Sequence, residues 1–114
     1  RINNDELIWI KNPTEFTVGP YGIKEPVGEG VLAKDLTELG AIILPALAVD
    51  VKGTRLGKGK GFYDRVLADL KQDVKRIVLL FDTEFILEIP KENHDQPIHT
   101  IATPFRSIHF TKPD

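Results

Sequence analysis

The chain is 114 residues long, with 41% hydrophobic residues, 28% charged residues, no cysteine and a formal net charge of −2. That is room for one small soluble domain, 1–114, and a near-neutral balance offers no general attraction to nucleic acid or membrane. The lack of cysteine excludes disulfides and thiolate metal sites. No apolar run approaches the roughly 20 residues of a membrane helix, and no charged-then-apolar leader opens the chain, so a cytoplasmic location is expected.

Leu7-Ile-Trp-Ile10 reads as a short strand broken by Asn12-Pro13. Residues 17–30 hold Gly19, Pro20, Gly22, Pro26, Gly28 and Gly30, a density of breakers that predicts an extended loop. Leu32 to Leu39 has room for one or two helical turns. Ala41-Ile-Ile-Leu-Pro-Ala-Leu-Ala-Val49 is the most apolar segment and predicts a central strand buried on both faces. Asp50 to Gly61 reads as a glycine-rich loop. The spacing of Val66, Leu67 and Leu70 predicts a helix over Phe62–Lys71. Arg76-Ile-Val-Leu-Leu-Phe81 predicts a second buried strand, with Asp82 at its end. Glu84 to Glu88 suggests a helical turn stopped by Pro90, and 99–103 and 107–110 suggest two last strands. Strand, loop, helix and strand form a βαβ pattern, which predicts a parallel sheet with the loop beyond the strands' carboxyl ends.

The run Arg55-Leu-Gly-Lys-Gly-Lys-Gly-Phe-Tyr-Asp-Arg65 concentrates the chemistry. Glycine lets the backbone approach a ligand closely. A helix opening at Phe62 aims N–H groups and the positive end of its dipole at the turn. Lys58, Lys60 and Arg55 add cationic charge, so the segment suits a phosphate. It is not a Walker A loop, because no Lys-Ser or Lys-Thr follows the last glycine. It is not the dinucleotide fingerprint either, because Gly57, Gly59 and Gly61 alternate strictly. A tight turn with solvated lysines is the plain alternative. Asp64 suits a Mg²⁺ ligand beside phosphate, or simply a favourable charge at a helix start.

Asp50-Val-Lys-Gly-Thr-Arg-Leu-Gly-Lys-Gly-Lys-Gly-Phe-Tyr-Asp-Arg65 resembles the signature of the 5-formyltetrahydrofolate cyclo-ligases, also called methenyltetrahydrofolate synthetases. Tyr21-Gly-Ile-Lys-Glu-Pro26 resembles that family's upstream Gly-Ile-x-Glu-Pro segment, and Pro90-Lys-Glu-Asn-His-Asp95 its downstream Pro-x-x-x-His-Asp segment. The resemblance spans roughly residues 7–103. It implies an α/β fold with a Rossmann-like open sheet, mainly parallel and three-layered, here without the N-terminal part of the family fold. It implies the substrate 5-formyltetrahydrofolate, the cofactors ATP and Mg²⁺, and no nucleic-acid or membrane partner. Phosphoryl transfer to the formyl oxygen would be followed by nitrogen attack on the activated carbon and loss of phosphate. Arg55, Leu56, Gly57, Lys58, Gly59, Lys60, Gly61, Phe62 and Tyr63 would bind ATP. Tyr21, Lys58, Gly59, Lys60, Gly61 and Phe62 would meet the folate, with Lys58, Lys60 and Tyr63 as the catalytic set. Asp64 and Asp95 would hold Mg²⁺.

Core packing is the plain reading of Phe62, a surface anchor that of Tyr21, and a loop residue that of Asp95. The family usually has Asp where this chain has His99, and often Gln where it has Glu84. His94, His99 and His109 read by themselves as hydrogen-bonded structural residues, but an acid-to-His exchange at 99 near the metal would alter local charge. The chain starts at Arg1 without methionine and reads as the interior of a longer protein. The expectation is that the 114 residues need the N-terminal portion, in cis or in trans, for turnover. A non-catalytic nucleotide-binding module and a ligand-free structural fragment are the competing readings.

Overall fold

The structure, a computed structural model, describes residues 1–3, 6–57, 61–90 and 96–110. The chain divides into two compact units, Arg1–Glu38 and Leu39–Asp114.

The first unit is built from short antiparallel pairs. Strand β1 (Ile2–Asn3) pairs with β2 (Glu6–Leu7), and β3 (Phe16–Val18) pairs with β4 (Lys24–Pro26) in a hairpin with Thr17 opposite Glu25. The extended loop expected over 17–30 is therefore a hairpin as far as Pro26. Pro26 is tolerated because it ends a strand of a two-stranded pair, where a missing N–H costs little. A single 3-10 turn, Pro20–Gly22, forms the hairpin tip. Trp9 exchanges backbone hydrogen bonds with Val31, 2.9 Å each way, and the Glu25 carboxylate accepts the N–H of Ile2 at 2.6 Å. The strand expected over 7–10 is thus divided between β2 and this bridge. A 3-10 turn at Ala33–Asp35 replaces the expected helical turns and buries Ala33.

The second unit holds the sheet and helix. Strand β5 (Ala41–Leu44) runs parallel to β8 (Lys75–Leu79), β8 parallel to β10 (Thr100–Ala102), and β10 antiparallel to β11 (Ser107–His109). A three-stranded sheet places β6 (Ala48–Asp50) between antiparallel β7 (Arg55–Leu56) and parallel β9 (Phe85–Ile86). This is a mixed α/β fold with the expected parallel pairing around a helix.

The apolar run 41–49 is two strands in two sheets, not one. Pro45 lacks the N–H a ladder needs, and the chain leaves the first sheet there. Only β6 is buried throughout; in β5, Ile42 and Leu44 face inward while Ile43 is 61% exposed. Burial in β8 alternates in the same way, with Arg76 and Val78 inside and Leu79 outside. The expectation of burial on both faces fails for β5, and β8, expected as a buried strand, has its ends exposed and only Arg76 and Val78 fully buried.

Helix α1 (Phe62–Asp69) ends two residues before the expected Lys71 and buries Val66 and Leu67, with Leu70 buried just beyond it. Eight residues are too few for a stable isolated helix. These side chains, each worth about 1.5–3 kcal/mol when fully buried, tie it to the sheet. The Arg76 guanidinium donates to the Leu67 carbonyl at 2.9 Å, which sets α1 on the face that carries Ile42, Leu44 and Val78. Leu44, Val49, Leu67, Val78, Ile98 and Ile101 form the centre of the core. The helical turn expected at 84–88 is instead a 3-10 turn at Asp82–Glu84 followed by β9. The Glu84 carboxylate accepts the Phe81 N–H at 2.8 Å and closes that turn early.

Candidate functional site

The glycine-rich segment starts as structure, not loop. Arg55 and Leu56 pair with Val49 and Ala48, so the first two of its expected ligand residues sit on a strand of the smaller sheet. The inference that the segment lies beyond the parallel strands' carboxyl ends loses its basis, because the strands that feed it belong to the other sheet.

Arg55 organises the described part of the site. Its guanidinium carbon lies 5.3 Å from the centroid of the Tyr63 ring, a cation–π distance. The same guanidinium passes over Gly57, where a Cβ would come within 2.7 Å of Nη1. A side chain at 57 would displace the arginine from this position, so glycine leaves room for it. Gly61 takes φ 71° and ψ 11° as the N-cap of α1, a left-handed conformation that glycine adopts without penalty. Arg65, one turn into the helix, lies over the Phe62 ring at 5.3 Å. Two arginine–aromatic pairs thus bracket the helix start.

Tyr63 is half-buried. Burial pushes its phenol pKa above the ordinary 10.0, and the nearby Arg55 charge opposes that rise. Its hydroxyl stays neutral at physiological pH and can donate a hydrogen bond. Asp64 lies in the first turn of α1, where the helix dipole favours a negative charge. Its Oδ1 accepts the Gln96 N–H at 3.4 Å, a long bond. That contact brings the acid of the helix start to the residue following Asp95.

Arg55, Gly57 and Tyr63 are brought together, and Gly61, Phe62 and Asp64 surround the same helix start. Lys58, Gly59, Lys60, His94 and Asp95 lie outside the described residues. Tyr21 belongs to the first unit, at the tip of the β3–β4 hairpin. It is 68% exposed and takes φ 63°, rare for a side-chain-bearing residue.

The described histidines and Asp82 have partners of their own. His99 exchanges contacts with Arg76: its N–H donates to the Arg76 carbonyl at 2.9 Å, and its Nδ1 accepts the Arg76 N–H at 3.4 Å. His109 shares a 2.9 Å hydrogen bond with Thr100 across β10 and β11. Both fit the structural reading. Asp82 pairs with Arg106 at 2.9 Å. Among the described residues no group of three or more His, Cys, Asp or Glu is placed to hold a metal. Mg²⁺ commonly takes one or two carboxylates and completes its shell with phosphate and water, so Asp64 suits it as one donor.

Sequence reasoning gave no role to Asp50, Arg65 or Gln96. Arg65 carried a readable signal, since i and i+3 on a helix are neighbours and it stands three residues after Phe62. The partners of Asp50 and Gln96 are distant in sequence and left no local pattern.

A model of the 5-formyltetrahydrofolate cyclo-ligase family matches residues 2–104. A 5-formyltetrahydrofolate cyclo-ligase of Mycolicibacterium smegmatis is 39% identical over 103 residues, covering 90% of this chain and 53% of that protein. One from Escherichia coli K12 is 34% identical over 92 residues, covering 80% of this chain and 50% of its own length. The solution structure of an Aquifex aeolicus 5,10-methenyltetrahydrofolate synthetase aligns with a TM-score of 0.74 at 28% identity, covering all of this chain and 58% of that one. The chain therefore spans about half the length of the curated relatives it matches.

Proposed function

Because this chain belongs to the 5-formyltetrahydrofolate cyclo-ligase family, we propose that the protein carrying it closes 5-formyltetrahydrofolate to 5,10-methenyltetrahydrofolate at the expense of ATP, with Mg²⁺. The single observation that carries the reading is the Arg55–Gly57–Tyr63 cluster at the opening of α1. A fixed guanidinium, a side-chain-free backbone and a helix start converge there, and each favours an anion.

In this reading residues 55–63 wrap the ATP phosphates. Arg55 is pre-oriented by its stacking on Tyr63, so little side-chain freedom is lost when a phosphate arrives. Lys58 and Lys60 neutralise charge on the transferring group, and Gly59 adds a close backbone contact. Phosphoryl transfer depends on positioning and charge stabilisation more than on a protein nucleophile. The neutral Tyr63 hydroxyl is suited to donate to an oxygen of the substrate. Phe62 and Tyr21 offer apolar faces to the folate. Asp64 and Asp95 would hold Mg²⁺, which supplies charge neutralisation on the phosphates.

We further read residues 1–114 as part of one three-layer Rossmann-like domain, completed by the portion that the longer relatives possess. Activity is accordingly assigned to the whole protein. The test incubates it with Mg-ATP and 5-formyltetrahydrofolate and follows ADP and the methenyl product together. Equal amounts of both are expected. Mg-ATP binding with neither product would support the nucleotide-binding module instead.

A further inference from the structure

We infer that the buried carboxylate of Asp50 is a positioning residue that fixes the start of the glycine segment against the chain entering Pro90. Asp50 ends β6 and is only 1% exposed. Its Oδ1 accepts the N–H groups of Lys52 and Thr54, both at 2.9 Å, and its Oδ2 accepts the N–H of Ile89 at 3.0 Å. Burying an isolated carboxylate is costly, and here three amide donors compensate it.

The two oxygens do different things. The Oδ1 bonds shape the reversal from β6 into β7, together with Gly53 N–H to Asp50 carbonyl at 3.1 Å and Asp50 N–H to Thr54 carbonyl at 3.0 Å. Two residues of β7 later the chain reaches Gly57. A local turn needs nothing more. The Oδ2 bond crosses 39 residues and contributes nothing to the turn. It holds Ile89, from which the chain passes through Pro90 toward His94 and Asp95.

The returning chain is tied on the same pattern. The Ile98 N–H donates to the Gly53 carbonyl at 3.3 Å, and the Gln96 N–H to Asp64 at 3.4 Å. The turn before the glycine segment holds a backbone position on each side of residues 91–95, Ile89 and Ile98, and the helix start after the segment holds Gln96. A misplacement of about 1 Å can cost about 100-fold in rate. The Ile89 bond thus acts on the spacing of the two parts of the proposed site, and the inference rests on that functional reading.

The test is Asp50→Asn in the whole protein. An Asn side chain keeps the shape but has one acceptor oxygen. With that oxygen toward Lys52 and Thr54, its NH₂ faces the Ile89 N–H, donor against donor. The turn survives and the crossing bond is lost. Amide exchange at Ile89 should accelerate about tenfold or more, with Lys52 and Thr54 still protected. The kcat should fall about 10- to 100-fold, with KM for the folate substrate nearly unchanged. In the unmodified protein, Mg-ATP should raise protection of Ile89 and Gln96 together, which needs no variant. Lost Ile89 protection with turnover within about twofold of the parent overturns the positioning role. So does a variant that fails to fold, combined with Ile89 and Gln96 protection indifferent to Mg-ATP. A parent protein that neither binds Mg-ATP nor turns over rejects the functional reading first, and the positioning role with it, before any variant is made.

Discussion

Replacing Gly53 with Ala tests the turn that feeds the glycine segment. Gly53 takes φ +83°, and a Cβ there would meet the Ile98 carbonyl oxygen at 3.2 Å and the Phe110 ring at 3.3 Å. The left-handed conformation costs an L-residue about 1–2 kcal/mol. The two contacts add about 1 kcal/mol, because the nearer one is backbone tied to the turn by its own hydrogen bond and cannot easily retreat. Against these stands a gain of about 0.4–1 kcal/mol from restricting the unfolded chain. The net loss is about 1–3 kcal/mol, a fall in Tm of about 5–20 °C for a unit of this size. Gly40 is the control in the same unit: its φ is ordinary and a Cβ would meet nothing within 4 Å. Gly40→Ala keeps only the unfolded-state term and should raise Tm by about 2–8 °C. Thermal melts of both variants, monitored by circular dichroism, give the comparison. Equal melting temperatures would refute both the strained turn and the packing drawn around it.

Arg76→Ala should cost about 2–4 kcal/mol, through the lost bond to Leu67 and the space left behind. Arg76→Met should cost less, about 0–2 kcal/mol, because it fills the space and removes a buried charge; urea midpoints rank the two, and an Ala variant as stable as the Met variant would contradict the packing. The raised pKa of Tyr63 means the folded state holds its proton more tightly than the unfolded chain does. The associated stability is fully present below about pH 10 and drains away as pH rises through the folded value; Tyr63→Phe should flatten that alkaline loss in denaturation curves taken across the range. Lys60→Ala should weaken Mg-ATP binding about tenfold with Tm nearly unchanged, read by calorimetry and melting on the same sample.

The parts of the fold legible in the sequence were those with a local cause. The helix over Phe62 showed its Val66, Leu67 and Leu70 face, and the parallel pairing of β5 with β8 followed from the strand–helix–strand order. The split of 41–49 was less visible, since Ile43 is as apolar as Ile42 and composition does not say which faces water. Only Pro45 marked the break. The β3–β4 hairpin was hidden by its own turn residues, because Gly19, Pro20 and Gly22 read as a loop wherever they occur. At the site, the glycine run and its arginine were legible as a motif, and the pairing of Arg55 with Tyr63 follows from it only in three dimensions. The bond from Asp50 to Ile89 left no trace, because its acceptor reads in the sequence as the first residue of the glycine loop and its donor is a backbone amide common to nearly every residue.

The outward side of the four-stranded sheet has a practical consequence. Ile43 stands across from Ile77 and diagonal to Leu79, and both Ile43 and Leu79 are mostly in contact with water. In a preparation of these 114 residues alone, two molecules that meet there each shed unfavourably hydrated hydrocarbon, so this surface contributes to stickiness while the interior decides whether the polypeptide stays folded. A lysine in place of Ile43 would put a hydrated charge on that surface without touching a single core contact, and dilute, monodisperse samples are the reward to look for by light scattering.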